Sequence, residues 1–93
     1  MEEFACGYIT ETGAILSGSG NFTCSLVGTG VFEITFPAIT YDNNYITVVT
    51  MVTSLPRYAT SYSSVGKLRI RTYNENGSLT SWRFHFITFR AYS

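Results

Sequence analysis

The parity of apolar residues around one glycine pair constrains this chain more than any other feature. In "NFTCSLVGTGVFEITF", residues 21 to 36, the large apolar side chains are Phe22, Cys24 and Leu26 before the glycines and Phe32, Ile34 and Phe36 after them. A period of two on both sides describes two half-buried strands and no helix. A three-residue loop Gly28-Thr29-Gly30 sets Val27 opposite Val31, Leu26 opposite Phe32, Cys24 opposite Ile34 and Phe22 opposite Phe36, so core residues meet core residues. A two-residue loop moves the pairing by one position and turns inward residues against outward ones. Gly30 then takes the left-handed place of the turn. The same parity disposes of a nucleotide loop: Glu33 occupies the third glycine position of a dinucleotide fingerprint, and a strand follows where a helix should start.

A second stretch, "KLRIRTYNENGSLTSWRFHF", obeys the same arithmetic. A loop Glu75-Asn76-Gly77 pairs Asn74 with Ser78, Ile70 with Trp82 and Leu68 with Phe84, with Gly77 left-handed. Between the two hairpins, "YITVVTMVTSL" is too rich in β-branched residues for a helix and reads as one long strand. "GAILSGSG" reads as a short strand ending in a glycine-serine turn, and Ala59 to Ser64 as an edge strand. These elements predict an all-β protein: residues 1–93 form a single antiparallel β-sandwich or jelly-roll-like domain of six to eight strands.

A sandwich of this size cannot shelter all its apolar surface. Hydrophobic residues make up 45% of the chain and charged ones 13%, against about 25% charged in an ordinary soluble domain. In the long strand Ile46, Val48, Thr50 and Val52 share one face while Thr47, Val49 and Met51 share the other. Near the end, Ile87, Phe89 and Ala91 lie opposite Trp82, Phe84 and Phe86. Both faces want cover, and another copy of the chain is the simplest cover. Val49, Met51, Ile87 and Phe89 are the candidate oligomer-interface residues.

Charge is segregated along the chain. Residues 1–56 hold Glu2, Glu3, Glu11, Glu33 and Asp42 with no Lys or Arg, whereas Arg57, Lys67, Arg69, Arg71, Arg83 and Arg90 follow with Glu75 alone. In the second hairpin Arg69 faces Arg83 and Lys67 faces His85, which calls for an anion between them. Glu33 and Glu11, from this chain or a neighbour, can supply it, as can an acidic partner. Arg69, Arg71 and Arg83 are therefore the candidate partner-binding residues.

Little in the sequence points to catalysis. His85 is the only histidine and has no companions for a triad, Cys6 and Cys24 lack the histidines of a four-ligand zinc site, and the acids are scattered. Asp42-Asn43-Asn44 offers too few oxygens for a calcium loop. The expectation is a non-enzyme with no cofactor and no metal. A disulfide between the cysteines is left open, with Cys24 read as a small buried hydrophobe. A sequence pI near 6.5 argues against nucleic acid. No apolar run approaches the ~20 residues of a membrane span, and the acidic start, Met1-Glu2-Glu3, is unlike a signal peptide, so synthesis in a cytoplasm is expected. Tyrosines beside polar groups in "TYDNNYIT" and "RYATSY" make Tyr41, Asp42, Asn44, Tyr45, Tyr58 and Tyr62 candidate glycan-binding residues.

The run "SGSGNFTCSLVGTGVFEITF", the apolar strand after it and the closing "NGSLTSWRFHFITF" resemble the small trimeric β-sandwich modules of bacteriophage virion proteins, which look like H-type lectins in outline. The resemblance covers most of residues 13–90 and transfers no ligand residue. It implies a homotrimer at the virion surface, made in a host cytoplasm. As a capsid-decorating cement protein it would bind the major capsid protein; as a tail-fibre tip it would bind a host glycan. A chain that is all head favours decoration.

Overall fold

The computed structural model describes residues 2–42 and 44–91. Eight strands are found among them: β1 (Glu2–Ile9), β2 (Ile15–Gly18), β3 (Thr23–Gly28), β4 (Val31–Thr35), β5 (Tyr45–Met51), β6 (Tyr58–Ser64), β7 (Lys67–Tyr73) and β8 (Phe84–Arg90). They form two four-stranded antiparallel sheets, ordered β2-β1-β8-β5 and β3-β4-β7-β6, packed as a sandwich. All-β architecture and the strand count follow the sequence pattern.

In β4, β7 and β8 the inward faces are those that parity selects, whereas Leu26, expected inward on β3, is 38% exposed. Ala5 and Ile9 of β1, Phe32 and Ile34 of β4, Leu68 and Ile70 of β7, and Phe84 and Phe86 of β8 are buried in one cluster with Phe22, Phe36 and Tyr41. Aromatic edges meet faces across the gap between the sheets: the ring centroids of Phe32 and Phe84 lie 4.9 Å apart at 73°, a favourable quadrupole arrangement.

The β3–β4 hairpin keeps the expected core pairs, Leu26 with Phe32 and Cys24 with Ile34, but builds its tip differently. Gly28, not Val27, stands opposite Val31, and the register shifts between Leu26 and Gly28. A two-residue loop, Thr29-Gly30, plus one extra residue in the strand gives the same downstream register as the three-residue loop that parity demands. Gly30 has φ +71°, in the left-handed region as expected. This tip is clamped: Gly30 N–H donates to Ser81 Oγ at 2.8 Å, and Thr72 N–H donates to the Gly30 carbonyl at 2.8 Å.

The second hairpin is corrected. Its turn is as expected, with Asn74 N–H bonded to the Ser78 carbonyl and Gly77 at φ +82°, but the pairing ends with Tyr73–Leu79 and the Thr80 N–H bond to the Thr72 carbonyl. Ile70 does not pair with Trp82, nor Leu68 with Phe84. Both edges of β7 are taken, by β4 on one side and β6 on the other, so the chain crosses over and β8 runs between β1 and β5. Phe84 still faces the core, from the opposite sheet. The crossing is fixed by Trp82, whose indole Nε1 donates to the Val52 carbonyl at 2.9 Å.

Strand β1 has no counterpart in the sequence reading, yet it lies between β2 and β8. Phe4, Ala5 and Ile9 pack in the core, and the small residue among them is a packing requirement: a Cβ added at Gly7 would stand 2.5 Å from Phe22 Cζ and 2.8 Å from Phe86 Cε1. The β6–β7 turn is equally unsignalled. Val65 and Gly66 both have positive φ, and Val65, at φ +52°, is 96% exposed. A β-branched residue in that conformation carries a strain of about 1–2 kcal/mol.

Candidate functional surfaces

The outer face of the first sheet is apolar and carries three cross-strand rungs. Cys6, Ile87 and Val48 form one; Glu3, Phe89 and Ile46 form the next; Tyr8, His85 and Thr50 form the third. Ile46 and Val48 are 45% and 49% exposed, and Ile87 and Phe89 are half-buried. The Tyr8 and His85 rings meet edge to face at 4.5 Å, which seats the single histidine against an aromatic neighbour. The ionisable residues at these register positions are Glu3, Cys6, Tyr8 and His85. The expected interface set is corrected here. Ile87 and Phe89 lie on this outer face, but Val49 and Met51 point inward and pack against the core. The β5 residues available to a neighbour are Ile46 and Val48. Sequence parity separated the two faces of this strand; it could not say which one the second sheet would cover.

The outer face of the second sheet is polar and basic. Glu33 on β4 lies opposite Arg69 on β7 and accepts from Arg69 Nε at 3.2 Å and Nη2 at 3.0 Å, while Lys67 Nζ lies 3.4 Å from its other oxygen. The hydrogen bond from Arg69 is the main reason that the Glu33 carboxyl is held below its ordinary pKa, helped by the nearby Lys67. Stability from this group is present above the ordinary carboxylate range and is lost as pH falls through the lowered value, although solvent screens it. Arg83 binds Glu11 at 3.1 Å. Glu33 and Glu11 of the same chain thus supply the expected counter-charge, while the juxtapositions of Arg69 with Arg83 and of Lys67 with His85 do not occur, because β8 belongs to the other sheet. Arg71 sits between β4 and β6 with its guanidinium 5.2 Å from the Tyr62 ring centroid. Beside it the Tyr58 and Tyr73 rings stack at 4.8 Å and 14°.

The tyrosines expected to bind sugar are not brought together. Tyr58 and Tyr62 belong to that basic face. Tyr41 is buried, stacked on Phe36 and Tyr45, and its hydroxyl joins a chain through Thr47 to Thr88 with steps of 2.6 and 2.9 Å. Burial pushes the Tyr41 phenol pKa up. Asp42, Asn44 and Tyr45 do share a cleft of about 300 Å³ with Ile39, Thr40, Arg90 and Ala91 at one end of the sandwich. Asp42 Oδ1 accepts from Asn44 N–H at 2.9 Å, and Ala91 N–H donates to the Asn44 carbonyl at 2.7 Å. Ile39, Thr40, Arg90 and Ala91 are cleft residues that the sequence did not assign to a site; Arg90 continues the inward parity of Phe84, Phe86 and Thr88 beyond the end of the core. Asn43 lies outside the described residues.

Cys6, Tyr8, Ser17 and His85 line one open pocket of about 390 Å³ on the first sheet, while Cys24 lies on the second. Cys24 is a free thiol, so no bond joins it to Cys6, and burial pushes its pKa up to about 12, which leaves it protonated and unreactive at neutral pH. Among the described residues no three of His, Cys, Asp and Glu gather as a metal set. No protein-family model matches the chain, and no curated protein or solved structure matches it.

Proposed function

We propose that this chain is a non-enzymatic structural protein of a bacteriophage virion, a homo-oligomer, trimeric like the modules it resembles, that decorates the capsid and stabilises contacts between major capsid subunits. The observation that carries the self-association is the apolar outer face of the first sheet, where Ile46, Val48, Ile87 and Phe89 lie side by side. Two copies meeting there would lay these four apolar side chains against one another and take them out of water. Linked copies then bind a repeating shell with a raised effective concentration at each successive contact. The phage setting comes from the resemblance of residues 13–90 to virion β-sandwich modules.

Light scattering of the purified chain across the micromolar range tests the self-association. The expected mass is a multiple of 10.4 kDa. Val48→Lys, at a position half-exposed in the single subunit, should leave the fold intact and weaken association about 100-fold, because burying an unpaired ammonium costs several kcal/mol. A wild-type mass that stays monomeric throughout would end this reading.

The end cleft favours a second reading, a lectin-like tail-fibre tip. Its Arg90 guanidinium, Asp42 and Asn44 polar groups and Tyr45 ring are the kinds of group that bind a sugar acid. A glycan array should then show selection of acidic over neutral sugars, lost in Arg90→Gln. Silence on the array removes this alternative.

A further inference from the structure

The two outer faces of the sandwich differ in chemistry, and the basic one is poised for something other than a second copy of itself. Lys67, Arg69 and Arg71 project from β7 and meet one carboxylate, Glu33, which is engaged by Lys67 and Arg69 together. Among the described residues no carboxylate pairs with Arg71. Its guanidinium instead rests over Tyr62, and the register of β6 with β7 sets Thr60 opposite it, between the Tyr58–Tyr73 and Tyr62–Arg69 pairs. Arg71 is exposed, and so is Tyr58 at 48%.

A guanidinium packed on an aromatic ring has already surrendered part of its side-chain freedom, so a partner that binds it loses less entropy than one that must fix a free arginine. Its planar fork matches a carboxylate through two parallel N–H bonds. Tyrosine and arginine are also the residues that most often dominate binding energy at protein interfaces. The surface is a sheet face and not a concave pocket, which selects a macromolecular surface over a small ligand. Position of charge selects a protein over a nucleic acid: a phosphate chain running along Lys67, Arg69 and Arg71 would have to pass Glu33, whereas one carboxylate delivered at Arg71 avoids it.

We infer that the outer face of the second sheet docks an acidic protein segment, with a partner carboxylate received by Arg71 between Tyr58, Tyr62 and Tyr73. This binding requires no second copy of the chain and uses the face opposite the apolar rungs. It can therefore stand if self-association fails, and fail if self-association stands.

The test uses the whole chain and a fluorescent peptide of alternating glutamate and threonine, read by anisotropy at low salt. A glutamine-for-glutamate version of the peptide and an oligothymidylate serve as comparison probes, and thermal melts establish that each variant is folded. The expected result is binding of the glutamate peptide alone, weakened about tenfold by Arg71→Gln and about threefold or less by Lys67→Gln. Amide shifts in a ¹H–¹⁵N spectrum should cluster at residues 58–62 and 71–73. The inference is overturned if the wild type ignores the glutamate peptide, if Arg71→Gln binds it unchanged, or if the glutamine peptide binds equally well. Tighter binding of oligothymidylate would overturn it in favour of a nucleic-acid surface.

Discussion

Phe32→Ala should lower the unfolding free energy by about 3–5 kcal/mol, read as a shift of the urea midpoint at constant slope. Phe32 is fully buried on β4, and its ring meets that of Phe84, also fully buried, from the opposite sheet. Removing the ring deletes apolar contact on both sheets together and leaves a void that neither strand can close, since each is pinned by neighbours on both edges. A chain of this length has roughly 5–14 kcal/mol in hand, so the variant should be marginal or unfolded at 37 °C. The partner substitution, Phe84→Ala, should cost about as much, and the double variant less than the sum, because the two rings share one contact. A loss below about 1.5 kcal/mol for Phe32→Ala would show that the sheets do not pack as described.

Gly30→Ala should destabilise strongly, and for two separable reasons. The first is conformational: φ +71° is left-handed, where a Cβ costs about 1–2 kcal/mol. The second is spatial. That Cβ would lie 2.8 Å from the Thr72 carbonyl oxygen and 2.9 Å from Thr80 N, both backbone atoms of the ladder that closes the second hairpin. Neither atom can swing aside as a side chain end would. Gly20 provides the control, with φ +82° and nothing within 4 Å of its added Cβ. Gly20→Ala should lose only the conformational part, and Gly30→Ala at least about 1 kcal/mol more in parallel denaturation curves. Equal losses would mean that the clamp of the β3–β4 tip by Thr72 and Ser81 contributes nothing.

Much of this fold is legible in the chain, because a two-residue period survives whichever sheet a strand joins. Phe22, Cys24, Leu26 and Phe32 announce their strands, and Gly30 and Gly77 announce their turns, through local stereochemistry alone. What parity cannot encode is which strand edge remains open. Leu68, Ile70, Trp82 and Phe84 have the alternation of a hairpin, yet β6, joined to β7 by the short turn at Val65 and Gly66, and β4, remote in the chain, already occupy β7 on both sides. Strand β1 escaped notice for a complementary reason. A bulge between Glu3 and Ala5 breaks its period, so that Phe4 and Ile9, of opposite parity, both pack against the core, and Gly7 is kept small by Phe22 and Phe86 coming from elsewhere. The same blindness affected the surfaces. The sequence supplied Arg69, Arg71 and Arg83 as equals, and only the fold brings Glu33 and Glu11 to two of them.

The position of β1 beside β8 also governs how the protein can come into being on a ribosome. Translation delivers β3, β4, β6 and β7 by residue 73, and those four strands suffice for the second sheet. The first sheet is still without its middle: β1 and β5 do not touch each other in the sheet order, and both must await β8. Until that strand emerges, the inward side of the finished sheet, with Phe32, Leu68 and Ile70, has no partner layer. Nascent chains therefore pass through an interval in which half the sandwich is formed and sticky. The brevity of that interval, only the 17 residues between Tyr73 and the end of β8, keeps the exposure short at ordinary elongation rates of about 5–20 residues per second.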